Sequence, residues 1–173
     1  GQYTAVVTAS NVLNAVSATT VVTVFDYLDL SGGVVITTSD GALAIAAPAV
    51  LSGTLAITYT PVMSPSAGTG ALSFGGLGFT LAAVDGVGQP VTVFSPPLTM
   101  SVFYDDAALA PGVDEESLDV YRYDVAAGEW ITLTTLARYP LTDTLLAALD
   151  HLTEFALLGR GGWKVFVPTV LRP

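Results

Sequence analysis

The chain has 173 residues, 51% of them hydrophobic and only 12% charged, with a formal net charge of −10 and no cysteine. That length can bury a real core, while the missing cysteines exclude disulfides, thiolate metal sites and cysteine nucleophiles. Gly, Pro, Ser and Thr interrupt every apolar run before it reaches the roughly 20 residues of a membrane-spanning helix, and the five cations, Arg122, Arg138, Arg160, Lys164 and Arg172, leave residues 1–121 with nothing to neutralise phosphates, which argues against a nucleic-acid partner.

The excess of apolar residues over an ordinary domain implies that part of the surface is covered by another copy or another domain. An acid-only N-terminal region and a C-terminal stretch bearing Arg160, Lys164 and Arg172 make head-to-tail attraction between copies plausible, weakened by salt. Low Lys with abundant Thr, Val, Ala and Gly has an extracellular character. The sequence opens at Gly1 without Met and without a charged segment followed by an apolar one, so any signal peptide is expected to have been removed or to lie in a longer precursor.

Gln2 to Ala9 and Ala15 to Phe25 are β-branched runs joined by a turn at Ser10 to Asn14, which predicts a hairpin. Gln2-Tyr3-Thr4, then Thr8-Ala9-Ser10-Asn11, then the Thr/Val-rich second run resemble the last two strands of a PKD-like, immunoglobulin-type domain. An isolated hairpin is marginal in water, so this one is expected to dock on the body or on a neighbour.

Asp26 to Gly33 reads as a polar connection, followed by a strand at Val34 to Thr38, a Ser39-Asp40-Gly41 turn and a strand at Ala42 to Ile45 that Pro48 ends. Thr54 to Thr60 alternates apolar and hydroxyl residues, as a strand with one buried face does. Gly32-Gly33, Asp40-Gly41, Pro48 and the strand at Leu55 to Tyr59 resemble the ZU5-type β-sandwich of bacterial secreted proteins. Pro61 to Gly76 lacks periodicity and reads as the longest surface loop.

A further hairpin is expected from Leu77–Val84 and Val91–Phe94 around Asp85 to Gly88, with Pro96-Pro97 preceding a strand at Leu98 to Tyr104, since proline suits a strand start or an edge. Asp105, Asp106, Asp114, Glu115 and Glu116 form an acidic stretch in which Asp114 is placed to cap a helical turn. It is the one candidate calcium site, though it lacks EF-hand spacing and acidic loops are usually just solvated. Ser117 to Asp124 and Glu129 to Leu133 form the clearest hairpin, with Trp130 as a core or interface anchor.

Leu149 to Gly159 holds the only histidine and reads as a turn feeding a final core strand at Phe155 to Leu158. Tyr121-Arg122-Tyr123-Asp124, Gly128-Glu129-Trp130, Asp150-His151-Leu152-Thr153 and Phe155-Ala156-Leu157 resemble the end of ZU5-like modules. His151-Leu152-Thr153 also resembles the self-cleavage triplet of ZU5 and GAIN-type domains. That resemblance implies Thr153 as nucleophile, His151 as base and Leu152-Thr153 as the cleaved bond, a coherent pairing of a hydroxyl with a base, but the GAIN cysteines are missing. With one histidine and no cysteine there is no other catalytic constellation and no cofactor site to assign.

After a Gly159-Arg160-Gly161-Gly162 linker, alternation places Trp163, Val165, Val167 and Leu171 on one face of a strand and Phe166 and Val170 on the other. A strand apolar on both faces fits insertion into a groove, in its own sandwich or the next subunit. Phe166-Val167-Pro168-Thr169-Val170-Leu171-Arg172 resembles a Phe-x-Pro-x-x-Leu-Arg ending of bacterial surface proteins, and that resemblance implies a sorting or anchoring signal as the alternative role.

The sequence therefore predicts an all-β protein: an N-terminal hairpin (1–25), an antiparallel immunoglobulin/ZU5-like β-sandwich (26–159), and a linker with a C-terminal extension strand (160–173). The favoured function is that of a non-enzymatic structural subunit of an extracellular or cell-surface filament, fibre or sheath, polymerising by strand complementation with copies of itself. An autoproteolytic surface domain is one alternative. The other is an adhesin or glycan-binding module using Tyr121, Tyr123 or Trp130, with envelope components or glycans as partners.

Overall fold

A computed structural model describes residues 2–11 and 16–161. Twelve strands form two antiparallel sheets: β1 (Gln2–Asn11), β2 (Val16–Asp29), β3 (Val34–Thr37), β4 (Leu43–Ala47), β5 (Thr54–Val62), β6 (Leu72–Asp85), β7 (Val93–Phe103), β8 (Asp119–Asp124), β9 (Glu129–Thr132), β10 (Thr135–Tyr139), β11 (Thr144–His151) and β12 (Glu154–Arg160). The seven-stranded sheet runs β1-β2-β5-β6-β12-β8-β9 and the five-stranded sheet β10-β11-β7-β4-β3. The chain is an all-β sandwich.

Period-two alternation builds the core. Leu55, Ile57 and Tyr59 of β5, Phe79, Leu81 and Ala83 of β6, and Phe155 and Leu157 of β12 face Leu43 and Ile45 of β4, Leu98, Met100 and Val102 of β7, and Leu145, Ala147 and Leu149 of β11. Phe155 stacks on Phe79 with ring centroids 5.2 Å apart, and Tyr59 lies 5.9 Å from Phe79, which puts an aromatic row at the centre of the sandwich. The closing strand expected at Phe155 to Leu158 is therefore a central one, hydrogen-bonded to β6 on one side and β8 on the other.

Four expectations are corrected. The Asp26 to Gly33 stretch is not simply a connection, because β2 continues through Asp29 and pairs Phe25 with Ile57 and Asp29 with Thr54 of β5; the junction drawn at residue 25 thus falls within one strand. The Pro61 to Gly76 loop contracts to Met63–Ala71, since Pro61 pairs with Phe79 and Val62 with Gly78. Pro61 is tolerated because β2 pairing has already ended at Tyr59, so no ladder bond is lost.

The hairpin across Asp85 to Gly88 is reduced to a Val84–Pro90 bridge, because β6 and β7 belong to different sheets and the chain crosses the sandwich between them. Pro96 and Pro97 do not precede a strand but lie inside β7, a central one. The β11 register jumps there from Leu149↔Leu98 to His151↔Val93, a bulge in which their missing N–H groups interrupt no ladder.

Two polar clasps join the sheets. The Tyr59 hydroxyl, on a side chain only 1% exposed, crosses from β5 to donate to Asp40 Oδ2 at 2.7 Å in the β3–β4 turn. Arg138 of β10 pairs with Asp119 at the start of β8 at 2.5 Å and donates to the Leu118 carbonyl, while Thr135 donates to the same carboxylate.

Candidate functional site

Each candidate falls on a different part of the sandwich. His151 ends β11 and Leu152-Thr153 make the turn into β12, so the triplet carries the chain from one sheet to the other. The Leu152 N–H donates to the Thr92 carbonyl at 2.8 Å and the Thr153 carbonyl accepts from Leu81 N–H at 3.0 Å. Neither residue has a positive φ. Thr153 Oγ1 donates to the Tyr123 carbonyl at 3.1 Å. His151 Nδ1 lies 3.3 Å from Asp150 Oδ1, in a pair more than 40% exposed on both sides, and makes no hydrogen bond. The triplet thus brings a hydroxyl and an imidazole together in sequence, while their polar atoms point to different neighbours.

The acidic stretch forms two successive 3-10 turns, Asp106–Ala108 and Glu115–Ser117. Asp105 caps the first by accepting from Ala107 N–H at 3.0 Å, and Asp114 caps the second, as expected, by accepting from Glu116 N–H at 3.3 Å. Glu115 accepts from the Tyr104 hydroxyl at 2.9 Å. Burial first, then that carboxylate, raise the Tyr104 hydroxyl well above its ordinary value. Among the described residues no group of three or more acidic or histidine side chains is gathered for a metal. Of the five, Asp105 and Asp114 cap the turns and Glu115 holds Tyr104, while Asp106 and Glu116 lie within the turns.

Tyr123 and Trp130 are cross-strand partners on β8 and β9, tilted against each other at 5.2 Å. Trp130 Nε1 donates to the Ala67 carbonyl at 3.4 Å, and Glu154 of β12 accepts from both the backbone and the hydroxyl of Ser66. The Met63–Ala71 loop is thereby tied down across the outer face of the seven-stranded sheet, where Ala156, opposite Tyr121, and Leu158 are fully buried. Sequence reading missed this role for Glu154, since Ser66 and Glu154 lie 88 residues apart.

Asp40 and Tyr59 were likewise legible only as a turn residue and a strand residue. Burial works to raise the Asp40 carboxyl, but hydrogen bonds from the Thr38 hydroxyl, the Ala42 N–H and Tyr59 outweigh it and hold the group below its ordinary range. Burial first, then Asp40, push the Tyr59 hydroxyl far above its ordinary value.

The edges distinguish one strand from the rest. Among the described residues, three of the four sheet edges are short: β9 and β3 have four residues each, and β10 has five, with a bulge and Arg138. Short, bulged and charged edges resist pairing with another chain. β1 is different: ten residues in unbroken register with β2, without charge or proline. Moreover β2 pairs with β5 only from Thr23 to Asp29, so Val16–Val22 have β1 as their ladder partner and form a two-stranded arm. Seven residues at about 3.3 Å each carry that arm about 23 Å along the strand direction. The segment with Trp163, Val165, Phe166, Val167, Val170 and Leu171 lies outside the described residues.

Compared with known protein families, curated proteins and solved structures, the chain matches none. The likeness to PKD-like and ZU5 modules rests on the sequence motifs.

Proposed function

We propose that this protein is a non-enzymatic structural subunit of an extracellular or cell-surface assembly, a filament, fibre or sheath whose copies join by adding β-strands to one another. The observation that carries the proposal is the β1 edge: long, regular, uncharged, and mounted on a two-stranded arm. A two-stranded ribbon is marginal in water, so a third strand supplied by a neighbour stabilises it. The same addition satisfies a row of open N–H and C=O groups.

The Trp163–Leu171 segment has the composition of the added strand, apolar on both faces and uncharged apart from Lys164. In this reading the PKD-like and ZU5-like motifs mark the chain as one of the modular β-proteins of bacterial surfaces. Its low charge content and lack of cysteine suit a module that relies on sheets and packing.

Light scattering on the purified chain tests the proposal. Native protein is expected to form particles many times 17.8 kDa. Thr4→Lys combined with Val6→Lys, which charges the β1 edge, and deletion of Trp163 to Pro173 are each expected to give folded, non-assembling protein. Assembly that survives both changes would remove strand addition as its basis.

A further inference from the structure

Between the sheets, at the pole formed by the start of β5, the end of β6 and the start of β7, an open cavity of about 400 Å³ is lined by Leu30, Leu51, Leu55, Val91 and Phe94. Its floor belongs to the core: Leu30, Leu55 and Phe94 are each under 7% exposed. Val87 stands on the rim, 81% exposed. The volume is in the range of pockets that take a ligand-sized group.

We infer that this apolar cavity at the pole of one copy receives the apolar Trp163–Leu171 segment of a second copy, so that subunits join head to tail. The inference rests on the strand-addition reading and names the surface that anchors the added segment.

Reach is the first argument. The described chain leaves the sandwich beside the start of β6, where Arg160 pairs with Leu72. The cavity lies at the other end of the same strand, where Asp85 pairs with Leu55. Thirteen residue steps separate Leu72 from Asp85, but β6 bulges between Phe74 and Gly78, so the span is that of eleven extended steps, about 36 Å. From Gly161, an extended chain carries Phe166 at most about 18 Å and Leu171 about 35 Å. Only the last residues of a copy's own segment therefore come near its own cavity, whereas the whole Trp163–Leu171 segment of a neighbour stacked on that pole can enter it.

Charge is the second argument. The pole is built wholly from residues before Tyr121, a region with no Lys or Arg, and it carries Asp85 on the cavity wall and Asp29 beside Thr54. The incoming segment carries Lys164 near its start and is flanked by Arg160 and Arg172, three of the five cations in the chain. The two surfaces are complementary in sign, which favours this orientation and speeds encounter. The Gln2 end of β1 also runs toward this pole, since Gln2 pairs with Phe25 and β2 continues from there to Asp29. A contact between two different surfaces of one chain does not close on itself unless the rotation happens to, so repetition gives a ring or a filament.

The absence of cysteine makes the test direct. Val87→Cys and Val167→Cys are introduced together in the full chain, and mild oxidation is followed by non-reducing electrophoresis beside light scattering. The expected result is a ladder of covalent multiples from the double variant and nothing beyond dimer from either single variant. Leu51→Glu, and separately Val87→Glu on the exposed rim in case the first fails to fold, are expected to raise the concentration needed for assembly at least tenfold. Assembly that persists with no ladder and no response to the rim charge would overturn the cavity assignment while leaving strand addition standing. A disulfide closed within one monomer would overturn it as well. A chain that stays monomeric at every concentration would overturn strand addition itself, and this inference with it.

Discussion

Tyr59 spends its hydroxyl on the opposite sheet, and the bond can be weighed. A hydrogen bond to a charged acceptor contributes about 1.5–3 kcal/mol, and exposure of Asp40 places this one near the low end. Tyr59→Phe, which keeps the ring against Phe79, is expected to cost about 1–2 kcal/mol in urea denaturation. The linkage runs in opposite directions for the two partners. The Asp40 carboxyl is held below its ordinary 3.8, so its contribution is complete above about pH 4 and is lost as pH falls through the lowered folded value. The Tyr59 hydroxyl is raised above its ordinary 10, so its contribution is complete below that pH and is lost as pH climbs beyond it. The stability gap between the parent and Tyr59→Phe should therefore hold from pH 5 to 9 and shrink on both sides. Because burial alone also raises the hydroxyl, the acid side decides: a gap that does not shrink as pH falls below 4 would show that the clasp is not formed. Phe155 gives the larger effect: fully buried and stacked on Phe79, its replacement by Ala is expected to cost about 3–5 kcal/mol. Thr153 gives a negative result. Because its hydroxyl is committed to the Tyr123 carbonyl, the parent and Thr153→Ala are both expected to run as one full-length species in denaturing mass spectrometry, and two fragments from the parent alone would establish self-cleavage.

At the scale of elements, the Met63–Ala71 loop depends on two side chains of the sheet beneath it. Glu154→Ala removes the acceptor for both groups of Ser66 and is expected to free the loop, read as faster proteolytic nicking within residues 63–71 with a stability loss of about 1 kcal/mol. Unchanged protease resistance would mean that Trp130 and local packing suffice. This pinning also explains why the strands were easier to read than their partners. Thr54 to Thr60, Ser117 to Asp124 and Glu129 to Leu133 show their alternation in any window of the sequence, and each contains a strand, the second starting only at Asp119 after a 3-10 turn and the third ending at Thr132. Sheet membership is not a local property. Leu77–Val84 and Val91–Phe94 look like a hairpin because a glycine-rich turn joins them, and only the pairing of β7 with β11 and β4 places them on opposite sheets. The prolines misled for the same reason: a bulge opposite Asp150 spares their missing N–H groups, and that bulge is set by β11, some 50 residues later. Of the candidate sites, the caps at Asp105 and Asp114 follow from spacing alone, whereas the Asp40–Tyr59 and Ser66–Glu154 contacts need the folded chain to bring them together.

Among the described residues, a packed core is flanked by the long β1 edge and by the cavity at the Asp85 pole. Its net charge of −10 opposes association, so copies that meet must do so where charge is absent or complementary. β1 meets the first condition, and the Asp85 pole facing a cationic segment meets the second. The β1 edge and the exposed rim at Val87 lie outside the core, which is why their alteration should change assembly and leave folding intact. Light scattering of the purified full-length chain over a range of concentrations tests the central claim most directly. The account predicts particles growing to many times 17.8 kDa, reduced to monomer by Thr4→Lys with Val6→Lys. A monodisperse 17.8 kDa particle at every concentration, for the parent chain as for the variant, would contradict it.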